Sequence, residues 1–353
     1  MSLSDFKAFD VEDAVFRNSK GKAKAAPVLP QGAPVADTHC HLGMLDNVPL
    51  ALARAAVHGM GFIECITDPS EYRSDELSAQ ETYARLDEWV ADARCILDSW
   101  GMGQLVPPVI RMASGVHPHN AKDWERGLPV LRELLAHPAT SCLGEIGLDY
   151  HYDKSPRDVQ REVFALQLRM AHELGLPVSL HIREAHSDAL EILRAEGLPA
   201  AGCILHCFNL GPDDLAPFVE LGCYVALGGP LTFKKECATR AAVALASPGR
   251  LLTETDAPFM APEPLRGVVC EPAHTVFTLR MLLDCLGYAG EQHALELMSP
   301  RPMDLPEGEQ PAPLLQPSFE RLQEGLDELG MCQRLYRNAV ELLDRPNPAR
   351  RMR

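Results

Sequence analysis

The sequence lacks the features of several protein classes. It has no run of roughly 18 apolar residues, the length that a membrane-spanning helix needs. Residues 1–13 are acidic and lack the apolar segment of a signal peptide. The 11 cysteines include no Cys-x-x-Cys pair, and several lie within apolar runs, as buried free thiols do. We therefore expect a cytoplasmic protein without disulfides and without membrane contact.

Positive charge and glycine-rich loops are also scarce. With 33 Lys and Arg against 49 Asp and Glu, the chain has a formal net charge of -16, which argues against a broad basic surface. A local cluster of metal ions could still attract a polyanion. No Gly-x-Gly-x-x-Gly loop follows an apolar run. This disfavours a doubly wound dinucleotide-binding sheet, which is the main alternative to a barrel.

Eight short apolar runs alternate with helical patterns along the chain. The runs lie at residues 34–39, 61–66, 109–116, 141–146, 177–182, 202–206, 222–227 and 251–255. Because they are continuous, they are typical of strands buried on both faces of a parallel sheet. Between them, the residues from Asp158 to Leu174 predict a helix that Gly175 ends, and Ser187 is predicted to cap a helix that ends at Glu196. The alternation predicts an α/β fold, a (β/α)₈ TIM barrel.

The 353 residues fit one barrel domain with additions at both ends. Residues 1–33 are predicted to form a polar N-terminal extension, and residues 34–343 the barrel domain. A Pro-rich insertion at about 298–318 cannot be a continuous helix. A helical pattern near 319–343 follows it, and residues 344–353 form a C-terminal tail.

Histidines and carboxylates stand at the ends of the predicted strands. In Asp37-Thr38-His39-Cys40-His41, the two histidines are two residues apart and would point to the same side of a strand. Because the C-terminal ends of barrel strands meet at one rim, candidates from distant segments would converge there. They are His39, His41, Glu145, His181, His206 and Asp256. Four imidazoles and two carboxylates suit two divalent ions bridged by a carboxylate.

Several motifs together resemble the TatD family of metal-dependent deoxyribonucleases over about residues 34–285. They are Asp37-x-His39-x-His41, Gly115-Val116-His117-Pro118-His119, Gly144-Glu145-Ile146-Gly147-Leu148-Asp149-Tyr150, Pro177-Val178-x-x-His181-x-Arg183, His206-x-Phe208 and Glu254-Thr255-Asp256-x-Pro258. The resemblance implies a TIM-barrel hydrolase of phosphodiester bonds that binds metal through the same six residues. The N-terminal extension and the Pro-rich insertion depart from the family's pattern. Asn338 resembles the family's late asparagine, displaced by that insertion.

Two carboxylates are the predicted catalytic residues. Glu145 is the candidate bridging ligand, and Asp256 is a candidate both for holding one ion and for accepting a proton from the attacking water. The alternatives are a solvated glutamate at position 145 and a helix N-cap at Asp256, which precedes Ala-Pro. Asp37 would either orient an imidazole or be purely structural.

Cations and histidines near the rim are candidates for substrate binding. They are Arg183, His117, His119 and Lys234. Arg183 could hold a phosphate in fork geometry, or it could pair with Glu184 or Asp188. The two histidines could contact the phosphate or the leaving oxygen, or could be hydrogen-bonded loop residues. The lysine could attract a phosphate backbone or lie at the start of a solvated helix.

The leading hypothesis is a hydrolase that uses two divalent ions, of zinc, manganese or magnesium, to cleave phosphodiester bonds, with DNA as the expected substrate. The closest enzymatic alternative is an amide or lactone hydrolase on the same barrel, because the metals suit all of these reactions. A second alternative is a non-catalytic protein that binds nucleic acid or a protein partner. The intact ligand set argues against it, and the choice of phosphodiester depends mainly on the family resemblance.

Overall fold

Eight parallel strands form one sheet in a computed structural model, which describes residues 10–71, 77–300 and 317–345. Each strand pairs with the next one along the chain. The strands are β1 (Val35–Cys40), β2 (Met60–Thr67), β3 (Val109–Ser114), β4 (Thr140–Asp149), β5 (Val178–Arg183), β6 (Cys203–Leu205), β7 (Tyr224–Leu227) and β8 (Leu251–Thr253). All eight predicted strands are therefore confirmed, with shifts at their ends.

The first and last strands meet and nearly close the sheet into a barrel. Thr253 Oγ1 donates a hydrogen bond to Ala36 O at 2.7 Å, and Thr38 Oγ1 donates one to Thr253 O at 3.1 Å. Just beyond β8, a parallel bridge joins Cys40 to Ala257. With eight parallel strands in chain order, this closure confirms the predicted TIM barrel.

Helices connect the strands and cover the outside of the sheet. The α-helices of the described residues are α1 (Val48–Val57), α2 (Ala79–Ala84), α3 (Leu86–Ser99), α4 (Trp124–Leu135), α5 (Arg157–Leu174), α6 (His186–Glu196), α7 (Pro212–Leu221), α8 (Cys237–Val243), α9 (Thr275–Cys285), α10 (Glu291–Met298), α11 (Phe319–Gln323) and α12 (Glu328–Leu343). The predicted helix up to Leu174 is confirmed as α5, and Gly175 ends it in the left-handed conformation, with φ 64°.

One local prediction about helices is wrong, and another is confirmed only in part. Ser187 does not cap α6, because the helix begins at His186 and the residue before it, Ala185, makes no side-chain capping bond. The predicted helix near 319–343 is two helices, α11 and α12. Glu324 and Gly325 separate them, with φ values of 49° and 69° that no α-helix can contain.

The last helix, α12, packs across the N-terminal end of the barrel. Asn338 Nδ2 donates hydrogen bonds to Pro248 O at 2.7 Å and to Leu251 O, at the start of β8, at 2.9 Å. The apolar side chains of the barrel interior and of α12 form one cluster: Ala36, Phe62, Ile66, Ala113, Cys142, Ile204, Ala226, Leu252, Ala339, Leu342 and Leu343. Because this end is filled, the opposite rim is left for a functional site.

The N-terminal extension contributes to the core. Phe16 is buried, stacks on the His58 ring with centroids 4.1 Å apart, and meets the Phe277 ring edge-on at 5.0 Å. Most of the predicted Pro-rich insertion, residues 301–316, and most of the predicted tail, residues 346–353, lie outside the described residues. Among the described helices, none has the length and apolar character required to cross a membrane.

Candidate metal centre

The first strand carries one histidine of the site and leads directly to a second. His39 is buried on β1, and His41 follows the end of that strand. Behind them, Asp37 accepts hydrogen bonds from His39 N at 3.2 Å and from Thr255 Oγ1 at 2.6 Å. Asp37 thus fixes the backbone that carries His39 and ties it to the segment after β8, and within the described part of the chain no hydrogen bond joins it to an imidazole. Burial raises the pKa of Asp37 to about 8, although these bonds oppose the shift.

An irregularity in the fourth strand places Glu145. The sequence predicts that this residue ends its strand, but β4 continues for four more residues to Asp149. Gly144 pairs with Ser179 and Ile146 with Leu180, so Glu145 is an extra residue with no partner on β5. Such a bulge redirects a side chain. A Cβ atom at Gly144 would lie 2.8 Å from Ser179 Cβ, so the close approach of β4 to β5 requires glycine there.

The carboxylate of Glu145 lies among four imidazoles. Its Oε1 is 2.8 Å from His181 Nδ1, 3.2 Å from His206 Nε2 and 3.7 Å from His117 Nε2. Its Oε2 is 3.5 Å from His39 Nε2. Only 7% of its side chain is exposed, so the predicted alternative of a solvated glutamate is wrong.

Asp256 approaches the same centre from the other side. It follows β8 with φ 60°, and its Oδ1 lies 3.5 Å from His41 Nε2 and 3.9 Å from His39 Nε2. The next helical turn begins at Pro272, so Asp256 is not a helix N-cap. The six predicted ligands are thus brought together at the C-terminal rim of the barrel.

Sequence reasoning missed two carboxylates that hold histidines of the site. Asp149 Oδ2 lies 2.9 Å from His181 Nε2, and Glu254 Oε1 lies 3.1 Å from His206 Nδ1. Burial lowers the pKa of His181, but Asp149 and Glu145 raise it to about 9. Both carboxylates lie in motifs that the sequence shows, one at the end of β4 and the other just after β8. Their position at strand ends was the available signal.

We call the side chains gathered at this rim the central cluster. Its members are His39, His41, His117, His119, Glu145, Asp149, His181, His206 and Asp256. Burial alone would raise the pKa of Glu145, but the imidazoles of His117, His206 and His39 hold that pKa well below its usual value. Glu145 therefore stays ionised at neutral pH, as a metal ligand must.

Three overlapping groups of side chains in the cluster could each hold an ion. The groups are His39, His206 and Asp256; His39, His41 and Glu145; and His117, Glu145 and His181. Glu145 belongs to two of them, as expected of a bridging ligand. His39 Nε2, which faces Glu145 and Asp256, is buried and makes no hydrogen bond within the described residues. A buried imidazole nitrogen aimed at two carboxylates fits a ligand of a divalent ion.

The predicted substrate-binding histidines lie in the cluster itself. His117 Nδ1 accepts a hydrogen bond from His119 N at 3.1 Å, and its Nε2 faces Glu145. His119 Nε2 lies 3.0 Å from Asp149 Oδ2. His117 is therefore as well placed to be a metal ligand as to touch substrate, a role that sequence reasoning did not consider.

The two predicted substrate-binding cations are exposed. Arg183 lies over the ring of Tyr152, with Cζ 4.8 Å from the centroid. It pairs with neither of the predicted carboxylates, because Glu184 contacts His151 and Asp188 contacts Arg161. The other cation, Lys234, lies in the segment before α8. Its carbonyl oxygen accepts a hydrogen bond from Arg240 Nη2 at 3.4 Å, and among the residues described here no hydrogen bond or ion pair joins Lys234 to the cluster.

A cavity of about 520 Å³ opens beside the cluster. His117 and Glu145 line it on the cluster side, while Met44 and Leu77 form apolar parts of the wall and Asp68 an acidic part. Asp68 Oδ2 accepts a hydrogen bond from His117 N at 3.0 Å, so this carboxylate also positions a histidine of the cluster. The cavity gives a substrate room beside the candidate metal positions.

Comparison with known proteins identifies relatives of this chain. The family model described as "TatD related DNase" matches residues 36–296. An uncharacterized metal-dependent hydrolase of Bacillus subtilis, YabD, is 40% identical over 176 residues, which are 50% of this chain and 69% of that protein. Another of Escherichia coli, YcfH, is 32% identical over 243 residues, 67% of this chain and 82% of that protein.

Two further matches bear on activity and on fold. A Musicola paradisiaca protein named as the 3'-5' ssDNA/RNA exonuclease TatD is 38% identical over 156 residues, 43% of this chain and 58% of that protein. The crystal structure of YJJV, a TatD homolog from Escherichia coli, superposes with a TM-score of 0.62 at 23% identity, covering 90% of this chain and 100% of that one. This second match supports the fold alone.

Proposed function

Since this chain belongs to the TatD related DNase family and is a metal-dependent hydrolase, we propose that it cleaves phosphodiester bonds in DNA. The observation that carries the proposal is the position of Glu145, whose two oxygens face different sets of imidazoles. The exonuclease name of one relative, which belongs to that relative, supports a nucleic acid as the substrate. The proposed products are a free hydroxyl and a phosphate monoester.

Two divalent ions are part of the proposal. One position would use His39, His41, Asp256 and Glu145. The other would use Glu145 with His181 and His206, and His117 also lies within reach of it. Mixed imidazole and carboxylate ligation favours zinc or manganese over magnesium, which prefers oxygen-rich sites. When bound, such ions lower the pKa of water and offset negative charge on phosphate oxygens.

The protein's own side chains would orient the ligands and receive a proton. Asp149 and Glu254 hold the His181 and His206 rings from behind, which fixes the nitrogen that each ring presents to the centre. Burial opposes ionisation of Asp256, but His41 holds the pKa of Asp256 below its usual value. The carboxylate is therefore ionised at neutral pH, and we propose that it accepts the proton of the attacking water.

The decisive experiment is a substrate panel run on protein that has been stripped with a chelator and then reloaded. Single-stranded DNA, duplex DNA, RNA, a dipeptide and a lactone would each be offered with manganese, zinc or magnesium. We expect cleavage of DNA that is lost on chelation and restored by metal. Asp256→Asn should abolish it, whereas Asp87→Asn, at an exposed position on α3, should match the wild type.

The panel can also contradict the proposal. Amide or lactone hydrolysis without DNA cleavage would replace it with the enzymatic alternative on the same barrel. DNA binding without any hydrolysis, in fully metal-loaded protein, would point to a binding protein. Full DNA cleavage by chelated protein would refute the role of the ions.

A further inference from the structure

Two exposed aromatic side chains lie against histidines of the central cluster. Tyr152 is 54% exposed, and its ring centroid is 5.4 Å from that of His119. Phe259 is 46% exposed, and its ring centroid is 6.1 Å from that of His41. Every other aromatic residue in the described part of the chain is at least partly buried. Exposed aromatic rings that lie against the side chains of a candidate site are placed to contact a ligand bound there.

The two rings stand on opposite sides of the barrel rim. Tyr152 follows β4 and Phe259 follows β8. Because the eight strands are arranged in chain order around the barrel, these two strands are half a turn apart. The central cluster lies between them. A flexible chain that crosses the rim would therefore meet one ring, then the cluster, then the other ring.

Two cationic side chains lie close to the Tyr152 ring. Arg183 Cζ is 4.8 Å from the Tyr152 ring centroid, and Lys154 Nζ is 5.5 Å from it. Neither side chain forms an ion pair with another described residue, so both charges remain available to an anion. Arg183 ends β5, two residues after His181 of the central cluster. An aromatic face with free cations beside it suits a base and its phosphate.

We propose that Tyr152 and Phe259 are stacking surfaces for two bases of a single-stranded nucleic acid, on either side of the phosphate held at the central cluster. Arg183 and Lys154 would contact the phosphates beside Tyr152. The inference rests on the proposed function for its substrate class and extends it by naming the strand type and the contacts. Bases in an intact duplex are already stacked on each other, so the surfaces select single strands.

Variants that remove the ring faces test the proposal through binding. The probe is a short oligothymidylate with phosphorothioate linkages, which resist cleavage, bound to manganese-loaded protein and followed by fluorescence anisotropy. Loss of one base–aromatic stack weakens binding by roughly 5- to 150-fold. We expect losses in that range for Tyr152→Leu and for Phe259→Leu. Tyr152→Phe keeps the ring and should bind within about twofold of wild type.

A control variant separates a local effect from a general one. Tyr224 makes a similar ring contact, with Arg250 Cζ 4.4 Å from its centroid, but it lies at the start of β7, at the other end of the barrel. Tyr224→Leu should leave strand binding unchanged. Thermal melts of all variants identify any that fail to fold, and a Tyr152→Leu protein with wild-type melting but weak binding would support the proposal.

Photocrosslinking locates the bases directly. Strands carrying iodouracil at single positions crosslink to aromatic rings on which the base stacks, and mass spectrometry identifies the residue. We expect adducts at Tyr152 and Phe259 from two different strand positions. Adducts only elsewhere, or unchanged affinity in both Leu variants, would overturn the inference. Duplex DNA binding as tightly as the single strand would overturn it too.

The two proposals can fail separately. Crosslinks at both rings without cleavage of any nucleic acid would uphold the stacking surfaces and refute the nuclease function. Metal-dependent DNA cleavage with adducts on other residues would uphold the nuclease and refute the surfaces.

Discussion

Replacing Glu145 with glutamine removes one charge from the centre of the site and little else. The side chain keeps its shape and its place in the β4 bulge, and an amide oxygen can still face His181 Nδ1, now 2.8 Å from the carboxylate. The variant loses the negative charge that faces two sets of imidazoles and that would face both proposed ions. The variant therefore separates electrostatic from structural roles at this position.

The expected loss follows from the distances and the burial. With 7% of the side chain exposed, an effective dielectric constant of about 20 applies, and a unit charge pair at about 4 Å is worth roughly 4 kcal/mol. Part of that energy is lost in the ground state as weaker metal binding. A loss in turnover on the order of 10²-fold, or about 2.7 kcal/mol, is therefore expected for Glu145→Gln at saturating metal.

The assay measures turnover on the best substrate of the panel across a manganese titration, with metal content determined on the same samples. Glu64→Gln is a matched control, since Glu64 is a buried glutamate on β2 whose two oxygens accept from Ser141 Oγ at 3.0 Å, outside the central cluster. We expect wild-type turnover in the control. If Glu145→Gln bound metal and turned over within about threefold of wild type, the bridging role would be refuted.

Three further predictions concern stability and binding. Burial raises the pKa of Glu64 well above its usual value, so the folded protein keeps this proton to a higher pH than the unfolded chain does. The contribution of Glu64 to the free energy of unfolding should therefore fall as pH rises above roughly 4.3, and this contribution should be absent in Glu64→Gln. Urea unfolding of metal-free wild type and variant at several pH values would detect the difference. Asn338→Leu removes the donor of two hydrogen bonds to buried carbonyls and should lower the free energy of unfolding by about 2–4 kcal/mol in the same assay. The control Arg337→Ala, at an exposed position, should lower it by less than about 0.5 kcal/mol. The affinity of metal-loaded Asp256→Asn for DNA should fall only slowly with salt concentration, as expected for roughly two or three phosphate contacts, because the chain carries a net charge of -16. A steep fall in affinity would mean that the fold assembles a basic surface.

The sequence was sufficient to predict the barrel and the convergence of the candidate ligands. Continuous apolar runs mark strands buried on both faces, and barrel topology then brings His39 and Asp256 together although they are far apart in the chain. The position of Glu145 within its strand was not predictable, because a bulge depends on pairing with β5 rather than on local pattern. The roles of the six ligands remain predictions that the variants test.

Contacts between distant segments were the part that sequence reasoning could not supply. Asp149 and Glu254 are recognised as partners of His181 and His206 only when the distances are known. The break between α11 and α12 was missed because the helical pattern continues across Gly325, whose left-handed φ of 69° ends the regularity. The sequence gave no indication of the role that we propose for Tyr152, since that role depends on the exposure of its ring and on the neighbouring side chains.

The two ends of the barrel should contribute separately to stability. The N-terminal end is held by contacts such as the hydrogen bonds of Asn338 and the ion pair between Arg111 and Asp344, which do not involve the cluster. At the C-terminal end, buried carboxylates face imidazoles. Ions that bind only the folded protein, present at 100 times their dissociation constant, would raise the free energy of unfolding by about 2.7 kcal/mol. Metal should therefore raise the melting temperature of wild type and of Asn338→Leu by similar amounts, and that of Glu145→Gln by much less. If metal no longer raised the melting temperature of Asn338→Leu, the two ends would be coupled.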